Sequence, residues 1–262
     1  SGPNGKTTVT SLIAHRLQVA GQRAAAVGNI GDTCLDAVAA RTTDVYVAEV
    51  SSYQLASTID FAPRVAVLLG ITPDHLIWHG SYEAYQAAKF KLFANVVNTT
   101  DAFAILDATN DIVRARVRQL KAIPADERGF DYVPVGTAQG YSGDMRAACG
   151  SANAAFVSAT GTLTVVIDGV EHELLSADEL QIVGEHNVAN ALMAASAVLA
   201  LGVDAATVAR GLASFAPLEH RIEPCGVVGT MACYNDSKAT NVDATLKALN
   251  SFPGKRVCVL LG

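Results

Sequence analysis

The stretch Ser-Gly-Pro-Asn-Gly-Lys-Thr-Thr (residues 1–8) contains the Gly-Lys-Thr core of a phosphate-binding loop. In such a loop the glycines let the backbone approach the phosphates, the lysine reaches the terminal phosphates, and the next hydroxyl binds Mg²⁺. The residues of those types here are Gly2, Gly5, Lys6 and Thr7. The loop normally joins a strand to a helix whose N-terminus faces the phosphate. The stretch therefore predicts a nucleotide site in an α/β fold, although a bare Gly-Lys-Thr also arises by chance.

The sequence after this loop predicts a helix that ends at Gly21. The apolar residues at helical spacing are Val9, Leu12, Ile13 and Leu17. A strand is expected before the loop, inside the central sheet, and the chain closes on an apolar run (256–261) and a glycine. We therefore interpret the chain as a fragment of a longer protein. We expect residues 1–262 alone to be poorly stable and inactive.

The composition limits the class of protein. Of 262 residues, 50% are hydrophobic and 17% are charged, and the mean hydropathy is +0.28, which suits a large α/β domain. The net charge of −6 argues against a nucleic-acid binder. The five cysteines are scattered and form no Cys-x-x-Cys pair, which is typical of buried thiols in a reducing compartment. Because no apolar run is long enough to span a membrane and no signal peptide is visible, we expect a cytoplasmic protein without membrane contact.

The first half of the chain alternates apolar runs with helical patterns. This alternation predicts a mainly parallel sheet that is covered by helices on both faces. Strands are predicted at the start of 24–31 and over 44–50, 64–71 and 102–106. Helices are predicted over 81–97 and about 109–121.

The pattern changes near residue 130, where apolar and polar residues alternate and glycines interrupt them. This change, which begins with Tyr-Val-Pro-Val-Gly (132–136), predicts a small region of antiparallel hairpins. Helices are predicted again over 185–201 and 204–214, followed by a linker over 215–224. A strand over 231–236, a helix near 240–250 and a strand over 256–261 predict the start of a second, Rossmann-like α/β domain. The predicted domains are therefore 1–217 and the truncated 218–262.

Several polar residues lie where they could carry chemistry. Glu49 ends an apolar strand, where it could hold Mg²⁺ or could simply be solvated. His75 follows another strand and could be a metal or substrate ligand, although a lone loop histidine is more often neither. Lys89 lies on a helix, where lysines are nearly always solvated, although the aromatic residues near the same stripe of that helix could turn it inward. Asn187 and Asn190 share one helix face, and they could meet a flat base edge or cap the helix.

Eight segments, taken together, resemble the Mur ligases, which are ATP-dependent amide-forming enzymes of peptidoglycan precursor synthesis. They fall in order between residues 2 and 241: GPNGKTT, GNIG, EVSSYQL, TPDH, YQAAKFKLF, GEHNVANALMA, EHRIE and NDSKATN. Within the family, the chain is similar to the members that add D-glutamate to UDP-N-acetylmuramoyl-L-alanine through an acyl phosphate. One departure is Pro3, where the family usually has Thr or Ser and where proline removes a backbone N–H.

The resemblance implies roles for particular residues. The catalytic residues that it implies are Lys6, Glu49, His75 and Lys89. It implies two Mg²⁺ ions, whose ligands are Thr7, Glu49, His75 and a carbamylated Lys89. The implied ATP contacts are Gly2, Asn4, Gly5, Lys6, Thr7, Thr8, Asn187, Asn190, Arg221, Asp236 and Lys238. The implied substrate contacts are Asn29, Ser51 and His75 for the acceptor, with Thr240 near D-glutamate.

Other functions remain open from the residues alone. The chain could belong to another Mur ligase or to a folylpolyglutamate synthase, which would add a different amino acid. It could be a P-loop module that hydrolyses ATP without forming a bond. It could also be a degenerate paralogue, although intact Lys6, Glu49, His75 and Lys89 argue against that. We expect a monomer.

Overall fold

The computed structural model describes residues 1–136, 149 and 151–260. Its strands in chain order are β1 (Ala24–Gly28), β2 (Val45–Glu49), β3 (Val65–Leu68), β4 (Phe103–Asp107), β5 (Asp131–Val135), β6 (Ala154–Val157), β7 (Thr162–Ile167), β8 (Val170–Ser176), β9 (Glu223–Val228) and β10 (Met231–Asn235). Its α-helices are α1 (Lys6–Val19), α2 (Cys34–Ala40), α3 (Ser52–Ser57), α4 (Leu76–His79), α5 (Tyr82–Phe90), α6 (Asp111–Lys121), α7 (Ala125–Arg128), α8 (Glu185–Ala200), α9 (Ala205–Ala213) and α10 (Val242–Asn250).

The main sheet has six strands in the order β3-β4-β5-β6-β7-β8. The first four run parallel, and β6, β7 and β8 pair antiparallel. This confirms the predicted mainly parallel sheet with a small antiparallel region. The prediction for Tyr-Val-Pro-Val-Gly was wrong, because β5 reaches β4 after a helical crossover and therefore runs parallel to it. Residues 137–148 and 150 of the predicted hairpin region lie outside the described part of the chain.

Helices cover both faces of this sheet, as the apolar runs predict. On one face, the almost fully buried α8 packs on β4 and β7, and α1 packs on α8 and on β1 and β2. Leu12, Ile105 and Leu192 are among the residues of this core. On the other face, α5 and α6 enclose a second core that includes Tyr85 and Val117. Because both faces are covered there, β3 and β4 are almost continuously apolar.

An apolar slot separates β2 from β3. β1 and β2 form their own parallel pair, and among the described residues no strand lies between β2 and β3. A cavity of about 360 Å³ lies there, and Val47, Val65 and Val67 are among its lining residues. Ser1 reaches the edge of β3, since its amino group donates to Val67 O at 2.7 Å and Leu69 N donates to Ser1 O at 2.8 Å. The slot therefore has the position and the lining of a buried strand.

Three predicted elements differ in the structure. The predicted helix over 81–97 ends at Phe90 and continues as two 3₁₀ turns, Lys91–Phe93 and Val96–Asn98, because this break buries Leu92, Phe93 and Val96 in the core. The predicted linker over 215–224 already contains the first residues of β9. The run 256–260 forms no strand, since no described strand lies beside it. Residues 223–250 thus contain an antiparallel hairpin, β9–β10, followed by α10.

None of the helices in the described part of the chain is long and apolar enough to cross a membrane.

Candidate active site

The phosphate-binding loop becomes α1 at Gly5. Gly5 has a φ of +78°, in the left-handed region that favours glycine. A Cβ on Gly5 would lie 2.6 Å from Asn190 Oδ1, and one on Gly2 would lie 2.5 Å from Leu69 Cβ. Both positions therefore need glycine, which lets the loop pack closely against Leu69 and Asn190.

Lys6 folds over this loop, where its Nζ donates to Pro3 O at 3.1 Å. Burial lowers the pKa of Lys6, and the carboxylates of Glu49 and Asp74 oppose that shift. A partly desolvated cation between two acidic groups is suited to a phosphate that arrives with Mg²⁺, because the metal then balances the added negative charge.

A cavity of about 70 Å³ lies against the loop and brings together most of the predicted ATP contacts. Its walls include Asn4, Gly5, Thr8, Asn187, Asn190, Arg221, Asp236 and Lys238. Gly2, Lys6 and Thr7 belong to the same loop but not to these walls. The structure thus places residues from both ends of the chain around one small space.

Asn187 and Asn190 are buried in one wall of this cavity. Asn190 Nδ2 donates to Asn187 Oδ1 at 3.1 Å, which confirms that the two amides share a helix face. Asn187 Nδ2 also donates to Val183 O at 2.8 Å, so this amide ties down the chain before α8. The structural role and the predicted adenine contact are compatible, since each amide carries further donor and acceptor capacity.

The segment after residue 217 closes the cavity from the other side. Arg221 Nη2 donates to Thr7 Oγ1 at 2.9 Å, across 214 residues of sequence. Asp236 Oδ1 accepts from Ile222 N at 3.1 Å, and burial raises the pKa of Asp236. The Thr7 hydroxyl, a predicted Mg²⁺ ligand, therefore faces a cation here.

Glu49 lies at the carboxyl end of β2 and is 3% exposed. Its Oε1 accepts from Asn29 Nδ2 at 2.8 Å, whereas its Oε2 is buried without a hydrogen-bond partner among the described residues. An unpaired buried carboxylate oxygen is costly unless a cation satisfies it. A hard divalent cation prefers carboxylate and hydroxyl oxygens, so Glu49 and Thr7 fit Mg²⁺.

Lys89 is 2% exposed and points inward. Its Nζ donates to Ser1 Oγ at 3.1 Å and to Gly2 O at 3.2 Å, and it lies 5.5 Å from the centre of the Tyr85 ring. Burial, aided by the Lys6 cation, lowers the pKa of Lys89 to about 7. A substantial fraction of the amine is then neutral near pH 7, unlike that of a solvated lysine.

His75 lies directly before α4 in an aromatic cluster. Its backbone has a φ of +54°, and its N–H donates to Asp74 Oδ1 at 2.9 Å. Its ring lies 4.9 Å from that of Tyr53, which also contacts Trp78 and His79. Within the part of the chain that is described, no group of three or more His, Cys, Asp or Glu converges as a metal site. The predicted ligand set includes a threonine and a modified lysine, so it is not a set of that kind.

The predicted substrate contacts are less closely grouped than the predicted ATP contacts. Asn29 contacts Glu49, as described above. Ser51 caps α3, where its Oγ accepts from Gln54 N at 3.3 Å and its N–H donates to Gln54 Oε1 at 2.8 Å. Thr240 is exposed near the cavity, and its N–H donates to Lys238 O at 3.0 Å. The structure assigns Ser51 a capping role, which is compatible with the predicted substrate role.

The family model of the Mur ligase middle domain matches residues 1–198. The chain belongs to the Mur ligase family. It is 38% identical over 257 residues to a UDP-N-acetylmuramoylalanine–D-glutamate ligase of Acidobacterium capsulatum, covering 97% of this chain and 51% of the relative. It is 36% identical over 280 residues to the enzyme of the same name from Polaromonas sp. strain JS666, covering 100% of this chain and 46% of the relative.

Solved structures of Mur ligases share the fold. MurF of Acinetobacter baumannii matches with a TM-score of 0.66 at 17% identity, over 97% of this chain and 53% of that chain. A UDP-N-acetylmuramoyl-L-alanyl-D-glutamate–2,6-diaminopimelate ligase matches with a TM-score of 0.63 at 20% identity, over 87% and 47%. The chain spans about half the length of the Mur ligases that it matches.

Sequence reasoning missed some residues of this candidate site. The carboxylate of Asp74 raises the pKa of both Lys6 and Lys89 and so favours their charged forms. Its position directly before His75 could have indicated that it belongs to the site. Asn241 and Asp243 bind the side chain of Asn4 through hydrogen bonds of 3.2 and 2.6 Å. Asn241 ends the quoted segment NDSKATN, but nothing in the sequence pairs it with Asn4.

Proposed function

We propose that this chain is the ATP-binding part of a Mur ligase that adds D-glutamate to UDP-N-acetylmuramoyl-L-alanine. The observation that carries the proposal is the buried Glu49, which has one oxygen bound to Asn29 and the other unpaired beside a phosphate-binding loop. The names of the relatives support the choice of amino acid. We assign residues 1–217 to the ATP-binding domain and 218–262 to the start of the next. We expect a monomer in the cytoplasm.

The proposed reaction has two steps. The acceptor carboxylate attacks the γ-phosphorus of ATP and ADP leaves, which gives an acyl phosphate. The amino group of D-glutamate attacks the acyl carbon, loses a proton and expels phosphate, so the new bond is an amide. Lys6 and the N–H groups of the loop that contains Gly2 and Gly5 bind the phosphates and offset the charge on the transferred group.

Two sets of residues are the proposed Mg²⁺ ligands. Thr7 and Glu49 would hold one Mg²⁺, which supplies positive charge at the β- and γ-phosphates. Arg221, which contacts Thr7 in this structure, and Lys238 would bind the phosphates, and Asp236 would complete the contacts to ATP away from them. His75 and a carbamate on Lys89 would hold a second Mg²⁺. Asn187 and Asn190 bind the adenine, and Asn4 and Thr8 complete the ATP contacts.

The carbamate on Lys89 follows from the chemistry of the side chain. An ammonium repels Mg²⁺, and an amine is a soft donor for a hard cation. Only the neutral amine reacts with CO₂, and the pKa of about 7 makes that form available. The Lys89→Ala variant should lose most activity, Lys89→Arg should not restore it, and short carboxylates should rescue Lys89→Ala in part. Full activity of Lys89→Arg would show that the residue acts as a plain cation.

The acceptor and the amino acid approach from the strand ends. We assign Asn29, Ser51 and His75 to the acceptor, and Thr240 to D-glutamate. Asn29 is exposed on the side that does not face Glu49, and His75 is partly exposed beside Tyr53.

A substrate panel tests the proposal. A protein of the relatives' full length that includes this chain should release ADP from ATP only when D-glutamate and the acceptor are both present. Turnover with meso-diaminopimelate, L-lysine or L-glutamate instead would place it with another Mur ligase or a folylpolyglutamate synthase. ATP hydrolysis without any amino acid would indicate a non-ligating ATPase.

A further inference from the structure

Helix α10 contacts the phosphate-binding loop through one side chain of that loop, Asn4. Asn4 Nδ2 donates to Asp243 Oδ2 at 2.6 Å, and Asn4 Oδ1 accepts from Asn241 Nδ2 at 3.2 Å. Both ends of the Asn4 amide are therefore bound by residues that lie 237 or more positions away. Such a pair of bonds fixes the plane of the amide as well as its distance from α10.

Asp243 is itself held in place by the start of its helix. Lys247, one turn later, donates to Asp243 Oδ2 at 2.8 Å. Asn241 Oδ1 accepts from Ala244 N at 2.8 Å and so caps α10, which fixes the Asn241 amide. Because Lys247 balances its charge, Asp243 can lie next to a phosphate site without repelling the phosphate strongly.

The far end of α10 lies against the start of α8. A Cβ on Gly184 would lie 2.2 Å from Ser251 Oγ, so the two backbones approach closely there. Ala244, Lys247 and Ala248 form part of the cavity wall between these two ends. Helix α10 thus covers the cavity, and Asn4 is the point at which it contacts the phosphate-binding loop.

We propose that Asp243 is a positioning residue that holds Asn4, and through it the phosphate-binding loop, in the conformation that binds the phosphates of the nucleotide. The proposal rests on the proposed ATP site. Asp243 does not contact the nucleotide. It acts through Asn4, whose peptide belongs to the turn that presents the loop N–H groups. A loop ordered before binding loses less conformational entropy when phosphate arrives.

The location of Asn4 gives the proposal a distinctive consequence. Loss of the Asp243 carboxylate should weaken the binding of ligands that carry phosphates and leave the binding of adenosine nearly unchanged. A purely structural role for α10 predicts a different result. In that case adenosine and ADP would weaken together, because α10 forms one wall of the same cavity that Asn187 and Asn190 line.

Binding of Mg-ADP and of adenosine to a purified protein of the relatives' full length that includes this chain, measured by isothermal titration calorimetry, tests this. A hydrogen bond to a charged group is worth enough that Asp243→Ala should raise the Kd for Mg-ADP by about tenfold. The Kd for adenosine should change by less than about twofold. In Asp243→Asn, a side-chain oxygen can still accept from Asn4, so most of the affinity for Mg-ADP should return.

The matched control is Asp204→Ala. Asp204 caps α9 through Thr207 N at 2.9 Å, away from the cavity, so this variant loses a comparable bond at a helix start. It should bind both ligands as the wild type does. Equal weakening of Mg-ADP and adenosine in Asp243→Ala, or no change in either, would overturn the inference. Failure of the wild type to bind Mg-ADP at all would instead refute the proposed ATP site.

Discussion

Asn29 Nδ2 donates to Glu49 Oε1 at 2.8 Å and so leaves Oε2 as the buried, unpaired oxygen of that carboxylate. The two residues end neighbouring parallel strands, because Gly28 pairs with Glu49 and Asn29 follows. Asn29 thereby fixes the orientation in which Glu49 presents its second oxygen. This arrangement is the structural basis for assigning a metal ligand here.

The first prediction concerns Glu49→Gln. The amide oxygen of glutamine can still accept from Asn29, so the fold should persist while the negative charge is lost. Loss of one preorganised charge interaction costs roughly 2.7–4 kcal/mol, so ligase turnover should fall by about 10²–10³. The affinity for Mg²⁺ in the presence of a non-hydrolysable ATP analogue should fall as well. A variant that turns over normally at ordinary Mg²⁺ would show that Glu49 is only a strand-end carboxylate.

The second prediction concerns the pH dependence of stability. Burial lowers the pKa of Lys89 from 10.5 to about 7, so between these values the unfolded chain binds a proton that the folded chain lacks. The free energy of unfolding should therefore rise with pH across that window. Above the window the Lys89 amine is neutral in both states, so it no longer lowers the stability of the folded chain. In Lys89→Met, the slope should be smaller by up to about 1.4 kcal/mol per pH unit.

Urea denaturation in CO₂-free buffer at several pH values from 7 to 10 measures this difference. Lys91→Met is the control, because Lys91 lies on the same segment and its Nζ donates to Ala56 O instead of facing the loop. Parallel stability curves for the wild type and Lys89→Met would show that Lys89 is solvated in solution.

The third prediction tests adenine recognition. The double variant Asn187→Ala, Asn190→Ala should raise the KM for ATP more than it lowers kcat, because the base is held similarly throughout the reaction. It should also lose about 1 kcal/mol of stability through the lost bond to Val183 O. Ser196→Ala removes a buried hydrogen bond from the same helix, to Leu192 O, without facing the cavity. If both proteins keep the wild-type KM, the two asparagines act only in the helix.

The fourth prediction concerns the slot between β2 and β3. An extension of five valine and isoleucine residues before Ser1 should pair with both strands and fill the apolar cavity of about 360 Å³. Burying one such side chain yields roughly 1.5–3 kcal/mol before ordering costs. We therefore expect the Tm to rise by at least about 5 °C. A Gly-Ser extension of equal length is the control, and an equal Tm for the two proteins would contradict the prediction.

Local patterns predicted much of this fold. The helix after the phosphate-binding loop, the strand that ends at Glu49 and the shared face of Asn187 and Asn190 all follow from periods of a few residues. The inward direction of Lys89 was predicted from the neighbouring aromatic residues, and Tyr85 does pack beside it. These features depend on spacing within one element, which a sequence displays directly.

The features that the sequence did not predict depend on distant partners. The helix over 81–97 breaks at Phe90 because Lys91 reaches Ala56 and the following residues enter the core. The run 256–260 has strand composition but no described partner strand, and a strand forms only where it can pair. The hydrogen bond between Asn4 and Asp243 joins residues 239 positions apart, so no local sequence pattern could indicate it.

Oxygen transfer between the acceptor and phosphate tests the central claim most directly. The acceptor, with ¹⁸O in its carboxylate, is incubated with ATP, Mg²⁺, D-glutamate and the protein at the relatives' full length. Because the acyl phosphate places a carboxylate oxygen on phosphorus, the released phosphate should contain one ¹⁸O for each amide formed. Phosphate without ¹⁸O, released at the same rate with or without D-glutamate, would contradict the ligase account and leave a simple ATPase.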